Sequence, residues 1–184
     1  HTARMMARKT LRAVDGPGLG LPRKSLIGIP WRVALALQED DWTLRSDIIW
    51  VRRTAMPEAT SKDRPWRKHE HVFMLVKDVR YFLNREGLAG QEDVWDIEPE
   101  RYSAARGQHY APFPKDLVRR CLSVGCPEGG SVLDPFAGGG TTLEVAVEMG
   151  LDAVGIDLNP DFCSLMANRL GEVPPDSQAS ADAA

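Results

Sequence analysis

The run Ser131-Val-Leu-Asp-Pro-Phe-Ala-Gly-Gly-Gly-Thr-Thr142, followed by Ala153-Val-Gly-Ile-Asp157, constrains the fold of this chain more than any other stretch. Val132 and Leu133 are apolar, lie just after Gly129-Gly130, and read as a short buried strand. The strand runs into Asp134-Pro135 and three glycines, residues that permit a tight turn and let backbone N–H groups approach a ligand closely. Leu143, Val145, Ala146 and Met149 recur at helical spacing, and Gly150 supplies a stop. A second strand over 153–156 then ends in an acid. Strand, glycine loop, helix, strand, acid is the βαβ arrangement that binds a nucleotide. Its acid takes ribose hydroxyls about 20 residues beyond the loop. Asp157 stands 23 positions after Asp134, which fits.

The loop's details select among ligands. A phosphate-cradling loop requires Gly-Lys-Ser/Thr, whereas this one reads Gly-Gly-Thr-Thr without lysine. A dinucleotide site requires a third glycine where Leu143 stands. Asp-Pro-Phe-x-Gly-x-Gly-Thr-Thr instead resembles the S-adenosylmethionine loop of the DNA amino-methyltransferases, which modify adenine-N6 or cytosine-N4.

Other blocks extend the resemblance over roughly residues 22–170. Lys24-Ser-Leu-Ile-Gly-Ile-Pro-Trp-Arg32, Trp42-Thr-Leu-Arg-Ser-Asp-Ile-Ile-Trp50 and His69-Glu-His-Val-Phe-Met-Leu-Val-Lys77 are similar to the block these enzymes place after their catalytic strand. His109-Tyr-Ala-Pro-Phe-Pro114 is similar to the helix opening that precedes their glycine loop. The order is that of the β group, in which the cofactor half follows the catalytic half. The resemblance implies an α/β, Rossmann-like methyltransferase sheet, S-adenosyl-L-methionine as cofactor, double-stranded DNA as partner and a place in a restriction-modification system. It implies cofactor contacts from Phe113, Asp134, Pro135, Phe136, Gly138, Gly140, Thr141, Thr142 and Asp157.

The family's catalytic motif, Asp, Asn or Ser followed by Pro-Pro-aromatic, normally precedes the Lys24 block. The only Pro-Pro here is Pro174-Pro175, with neither acceptor before it nor aromatic after it. No catalytic residue is therefore assigned. The expectation is a sheet truncated at its amino end, its catalytic strand missing, and a chain inactive alone until a preceding segment or a complementing chain restores that strand. The absent strand would lie between the strand at Val132-Leu133 and the one at Ile48–Val51. A catalytically silent remnant, or a methyltransferase of RNA, protein or a small molecule, stands as the alternative.

Charge is distributed unevenly. Residues 1–80 carry 16 Lys or Arg against 9 Asp or Glu, whereas the remainder is acidic enough to leave the chain at −3. A basic half suggests a nucleic-acid surface. Arg52, Arg53, Lys62, Arg64, Arg67 and Lys68 surround Trp66 in a Pro-interrupted loop and are the candidate DNA contacts; a solvated loop is the competing reading. Trp31, Trp42, Trp50 and Trp95 read as core anchors.

Residues 1–22 read as a flexible lead-in, 23–171 as the methyltransferase domain (23–107 the post-catalytic block, 108–171 the cofactor half), and 172–184 as a disordered tail. A helix is expected from about Pro30 to Gln38, strands at 43–51 and 69–76, a further strand at 79–83, a helix opening at Pro114, and a last helix from Asn159-Pro160 to Leu170. Thr141 and Thr142 could cap the helix after the loop. On a strand, His69 and His71 share a face, but no third ligand sits nearby, so no metal is expected. Cys121, Cys126 and Cys163 read as ordinary thiols in a reducing cytoplasm. No run of 18 apolar residues suggests a membrane span.

Overall fold

In the computed structural model, residues 21, 25–54, 62–88, 92–98 and 113–171 are described. The expected lead-in and tail, and residues 55–61 of the basic loop, lie outside them. Contacts divide the chain into two units, residues 1–42 and 43–184.

The described part of the first unit is dominated by helix α1, Ile29–Glu39, with Pro30 in its first turn, where a missing N–H costs nothing. Gly28 precedes it at φ 71°, and Asp41 follows at φ 64°, one of the few residue types tolerated there. Trp31 is 40% exposed and is not a core anchor within this unit.

In the second unit, Thr43–Val51 forms β1 and His69–Val76 forms β2, as the β-branched and aromatic content of both segments predicts. They pair antiparallel, with Val51 opposite His69 and an irregularity between Leu44 and Ser46. The period of two places His69, His71 and Phe73 on one face, and their rings touch in sequence. Val94–Asp96 forms β3, which pairs parallel with β1 along Ile49–Val51 and completes the order β2-β1-β3. No strand forms over Val79–Leu83. The Asp78 carboxylate accepts from the Arg80 N–H, turning the chain, and Asn84 then caps the short helix α2, Arg85–Leu88, by accepting from Glu86 and Gly87 N–H groups.

Trp50, Trp95 and Leu117 are buried together, joined by Ile48, Val72, Ile97, Phe113 and Cys121. Both indoles have hydrogen-bond acceptors: Trp50 Nε1 donates to the Ile97 carbonyl at 2.8 Å, and Trp95 Nε1 to the Glu92 carbonyl at 3.0 Å. Leu117 comes from helix α3, Lys115–Gly125, which buries Leu117, Val118 and Val124 and turns Asp116 and Arg119 outward.

The remaining elements form the expected βαβ unit: β4 (Ser131–Asp134), α4 (Thr141–Glu148) and β5 (Asp152–Gly155). The two strands pair in parallel from Ser131↔Asp152 to Asp134↔Gly155. Helix α5, Pro160–Leu170, opens with the Asn159 side chain accepting from Asp161 N–H and closes at Gly171, φ 74°. Ala137, Leu143 and Met166 form this unit's core.

One expectation fails here. β4 is not buried on both faces, because helices cover only one side. Ala153 packs on the Ala137–Leu143–Met166 cluster, while Leu133 and its cross-strand partner Val154 stay 63% and 58% exposed. Among the described residues, β4 pairs only with β5, and the two sheets share no hydrogen-bonded strand pair.

Candidate cofactor site

The ends of β4 and β5 point into the same loop cluster, where parallel sheets of this kind place their ligands. The ladder continues past the strands: Ile156 N–H donates to the Asp134 carbonyl and Ala137 N–H to the Ile156 carbonyl, each at 2.9 Å. Asp134 Oδ1 accepts from Phe136 N–H at 3.0 Å, closing an Asx turn around Pro135. Gly138, Gly139 and Gly140 are then buried although they belong to a loop.

Two glycines are demanded by geometry. Gly140 sits at φ 81°, and a Cβ there would lie 2.8 Å from Met166 Cγ. At Gly155 a Cβ would come within 2.7 Å of Leu143 Cδ2. The first permits the turn into α4; the second lets the helix pack close to β5. Gly140 is itself the helix N-cap, and no side chain caps α4, so Thr141 and Thr142 do not perform that role. The first-turn N–H groups lack intrahelical acceptors and present the positive end of the helix dipole.

Asp157 fastens the loop. Its Oδ2 accepts from Gly138 N–H at 2.9 Å and its Oδ1 from Asn159 N–H at 2.8 Å. Each carboxylate oxygen still has a free lone-pair direction, so two hydroxyl donors can be received without breaking either bond. Two apolar side chains of these loops are exposed: Phe136 by 84%, and Leu158, which follows Asp157, fully. The structure thus gathers Asp134, Pro135, Phe136, Gly138, Gly140, Thr141, Thr142 and Asp157 at one edge. Phe113, which precedes α3, packs against Trp50, Trp95 and Leu117.

Sequence reasoning missed two neighbours. Leu158 could have been suspected from an apolar residue placed directly after the acid. Arg169 could not, because only the fold returns the end of α5 to the loop. Its guanidinium donates to the Gly139 carbonyl and to Glu144 of α4. Glu144 and Glu148 also hold Lys115 Nζ, at 2.5 and 2.6 Å, and Glu148 holds Arg119 at 2.8 Å. Burial by itself would draw the Lys115 ammonium down, but the hydrogen bonds and charges of the two glutamates outweigh it and raise its pKa. The Lys115 hydrogen bond, followed by the Arg119 contact, holds Glu148 below the usual carboxylate value.

The candidate DNA residues separate into two groups. Arg52 pairs with Glu70 at 3.1 Å and donates to the Arg67 carbonyl; Arg53 pairs with Asp96. Arg67 lies 3.8 Å from Glu70. Lys62, Arg64, Trp66 and Lys68 are exposed, Trp66 by 48%. His71 Nδ1 lies 2.9 Å from Asp47 Oδ1, so this histidine is held by a carboxylate. Among the described residues, no three His, Cys, Asp or Glu side chains are grouped to hold a metal ion, and no helix is long and apolar enough to cross a membrane.

Comparison with known proteins agrees with this geometry. The chain is 44% identical over 160 residues to the type II methyltransferase M.Cfr9I of Citrobacter freundii, covering 82% of this chain and 52% of that protein. It is 42% identical over 162 residues to M.SmaI of Serratia marcescens, covering 82% and 54%. It therefore spans about half the length of these relatives. Among solved structures, the cytosine-N4-specific PvuII DNA methyltransferase superposes with a TM-score of 0.69 at 18% identity, over 83% of this chain and 60% of that one. The M1.HpyAVI–SAM complex superposes with 0.62 at 20% identity, over 78% and 70%. The DNA methylase family model matches residues 4–168, and the chain belongs to that N6/N4 methylase family.

Proposed function

We propose that this chain is the cofactor-binding part of an S-adenosylmethionine-dependent enzyme that methylates an exocyclic amine in DNA, adenine-N6 or cytosine-N4, within a modification system. The observation that carries the reading is Asp157, tied to the buried glycine loop with lone pairs left over, at the open edge of a parallel strand pair. A solved relative in complex with SAM and the type II methyltransferase relatives support it.

The residues present fit that cofactor. Asp157 receives the ribose hydroxyls while holding Gly138. Phe136 and Leu158 offer apolar surface for the adenine, burying area that water now covers. The glycine backbone and Asp134 border the methionine portion, and Thr141 and Thr142 bring the first N–H groups of α4 to the same edge. Phe113 serves by fixing the start of α3 against the aromatic core. The bound cofactor supplies an electrophilic methyl on a sulfonium. Orienting an amine for in-line attack on it requires acceptors for the amine's hydrogens and a surface to stack the extruded base. None of the described residues fills that role, which belongs to the Asp/Asn/Ser-Pro-Pro-aromatic motif.

The sheet supports the companion proposal of a missing catalytic strand. Among the described residues β4 has one side unpaired, β3 covers only the last three residues of β1, and Leu133 and Val154 are exposed. A strand added beside β4 would satisfy that open edge; β1 lies between β2 and β3, so only its residues before Ile49 have a side left for such a strand. On the DNA side, Lys62, Arg64 and Lys68 would meet phosphates around Trp66. Arg67 would contribute less, and Arg52 and Arg53 would hold the loop's base.

The decisive experiment is methyl transfer from labelled S-adenosylmethionine to duplex DNA. We expect none from residues 1–184 alone and activity once a segment bearing the motif is supplied in cis or as a second chain. Asp157→Ala in the active form should weaken cofactor binding by about 1.5–3 kcal/mol, the loss of hydrogen bonds to a charged group. Methylation by residues 1–184 alone would overturn the missing-strand proposal, and unchanged affinity in Asp157→Ala would overturn the cofactor assignment.

A further inference from the structure

We infer that Arg169 is a positioning residue for the cofactor loop, acting through the Gly139 carbonyl as one end of a charge relay that starts on α3; the inference rests on the cofactor reading above. Three observations carry it. The guanidinium is mostly buried, with 21% of its side chain exposed, at the end of α5 far from the loop in sequence. One nitrogen donates to the backbone carbonyl of the central glycine, and the other to Glu144 on α4. Glu144 is in turn held by Lys115 of α3, whose second carboxylate, Glu148, also binds Arg119.

Gly139 lies between Gly138, whose N–H is taken by Asp157, and Gly140, whose N–H donates to the Ala137 carbonyl. Asp157 thus grips the loop through an N–H donor, and Arg169 grips it through a carbonyl acceptor one residue later. A three-glycine segment has the greatest backbone freedom available to a chain, and ordering it on binding would weaken affinity. Two opposed fastenings order it in advance. The fork of the guanidinium suits this task because it bonds two acceptors in a fixed geometry. A lysine could satisfy one of them at a time.

The test uses the intact protein and compares wild type, Arg169→Ala, Arg169→Lys, Glu144→Gln and Val124→Ala. Val124 is buried on α3 and serves as a control for general loss of packing. Amide hydrogen exchange is read without ligand over 137–143 and over 43–51, and S-adenosylmethionine affinity is read by calorimetry. Arg169→Ala should speed exchange in 137–143 and weaken affinity, each by about tenfold or more, the size expected when a charged hydrogen bond is lost. Exchange over 43–51 and KM for DNA should not move. Arg169→Lys should recover part of both losses, and Glu144→Gln should reproduce part of them with Arg169 intact. Val124→Ala should lower the melting temperature without selective loop exchange. Unchanged loop exchange in Arg169→Ala, or equal effects from Val124→Ala, would overturn the inference. Wild type failing to bind S-adenosylmethionine would instead overturn the cofactor reading, because the ligand-free exchange still reports the clamp.

Discussion

The two sheets of this protein differ in what lies against them. The three-stranded sheet β2-β1-β3 encloses two buried tryptophans whose indole N–H groups are both satisfied, and its acids Glu70 and Asp96 pair with Arg52 and Arg53 just beyond β1. The β4–β5 pair is covered by helices on one face only, carries exposed Leu133 and Val154 on the other, and ends in a loop of buried glycines. Side-chain volume holds the first region together; close backbone approach holds the second. A region built from aromatic packing should suffer most from lost volume. One built from glycine and carboxylate contacts should suffer most from an added methyl group.

The largest expected effect is in the first region. Trp95→Ala removes a 4% exposed indole, its bond to Glu92 and its contact with the Arg120 guanidinium 5.1 Å above the ring. It should cost about 3–5 kcal/mol in denaturant unfolding of the intact protein. A loss under 1 kcal/mol would break the contrast at its strong end.

Gly140→Ala reverses the logic by adding a single carbon. The new Cβ meets Met166 Cγ at 2.8 Å and sits at φ 81°, so about 1–3 kcal/mol of strain is expected, with weakened S-adenosylmethionine binding. Gly129→Ala, at φ 65° with open space around it, isolates the backbone term and should leave binding unchanged. Equal binding loss in both variants would show that close approach to Met166 is not what the loop requires.

Thiol chemistry sharpens the comparison further. Desolvation pushes Cys121, beside the tryptophan cluster, up to about 11, with only partial opposition from Arg120. Cys163 on α5 is exposed. At pH 8 an alkylating reagent should modify exposed Cys163 well before Cys121, which is partly buried and holds its proton more tightly. The folded pKa lies above the ordinary thiol value of 9.0, so this contribution to stability is complete below about pH 9 and is lost as pH rises through about 11. A urea midpoint that falls over this window in wild type but not in Cys121→Ala would confirm it. Matching curves would refute it.

The smallest effect is expected at Leu133. In residues 1–184, Leu133→Thr should change stability by no more than about 0.5 kcal/mol, as exposed substitutions do. In a form supplied with the missing strand, a cost of about 1.5 kcal/mol or more would show that this face becomes covered. Equal small effects in both forms would mean that the face stays open.

Much of this molecule is legible locally. The βαβ unit, β1, β2, α1 and α5 follow from periodicity, Asn159-Pro160 and the glycines, because each signal lies within a few residues of the structure it dictates. The apolar residues of Val79–Leu83 suggest a strand, whereas Asp78 and Asn84 bond to neighbouring N–H groups and impose a turn and a cap. The sequence places Arg52 and Arg53 in one basic stretch with Lys62, Arg64, Arg67 and Lys68, and only the fold brings Glu70 of β2 and Asp96 of β3 to Arg52 and Arg53.

What the sequence by itself determined is the family, the glycine loop and the acid placed beyond it, since loop, strand and acid occupy one short contiguous unit. Only the tertiary structure decided that Phe113 joins the tryptophan core, that one face of β4 stays open, and that Arg169 returns to Gly139. Those outcomes depend on which helix packs where, and side chains far apart in sequence leave no periodic trace of meeting.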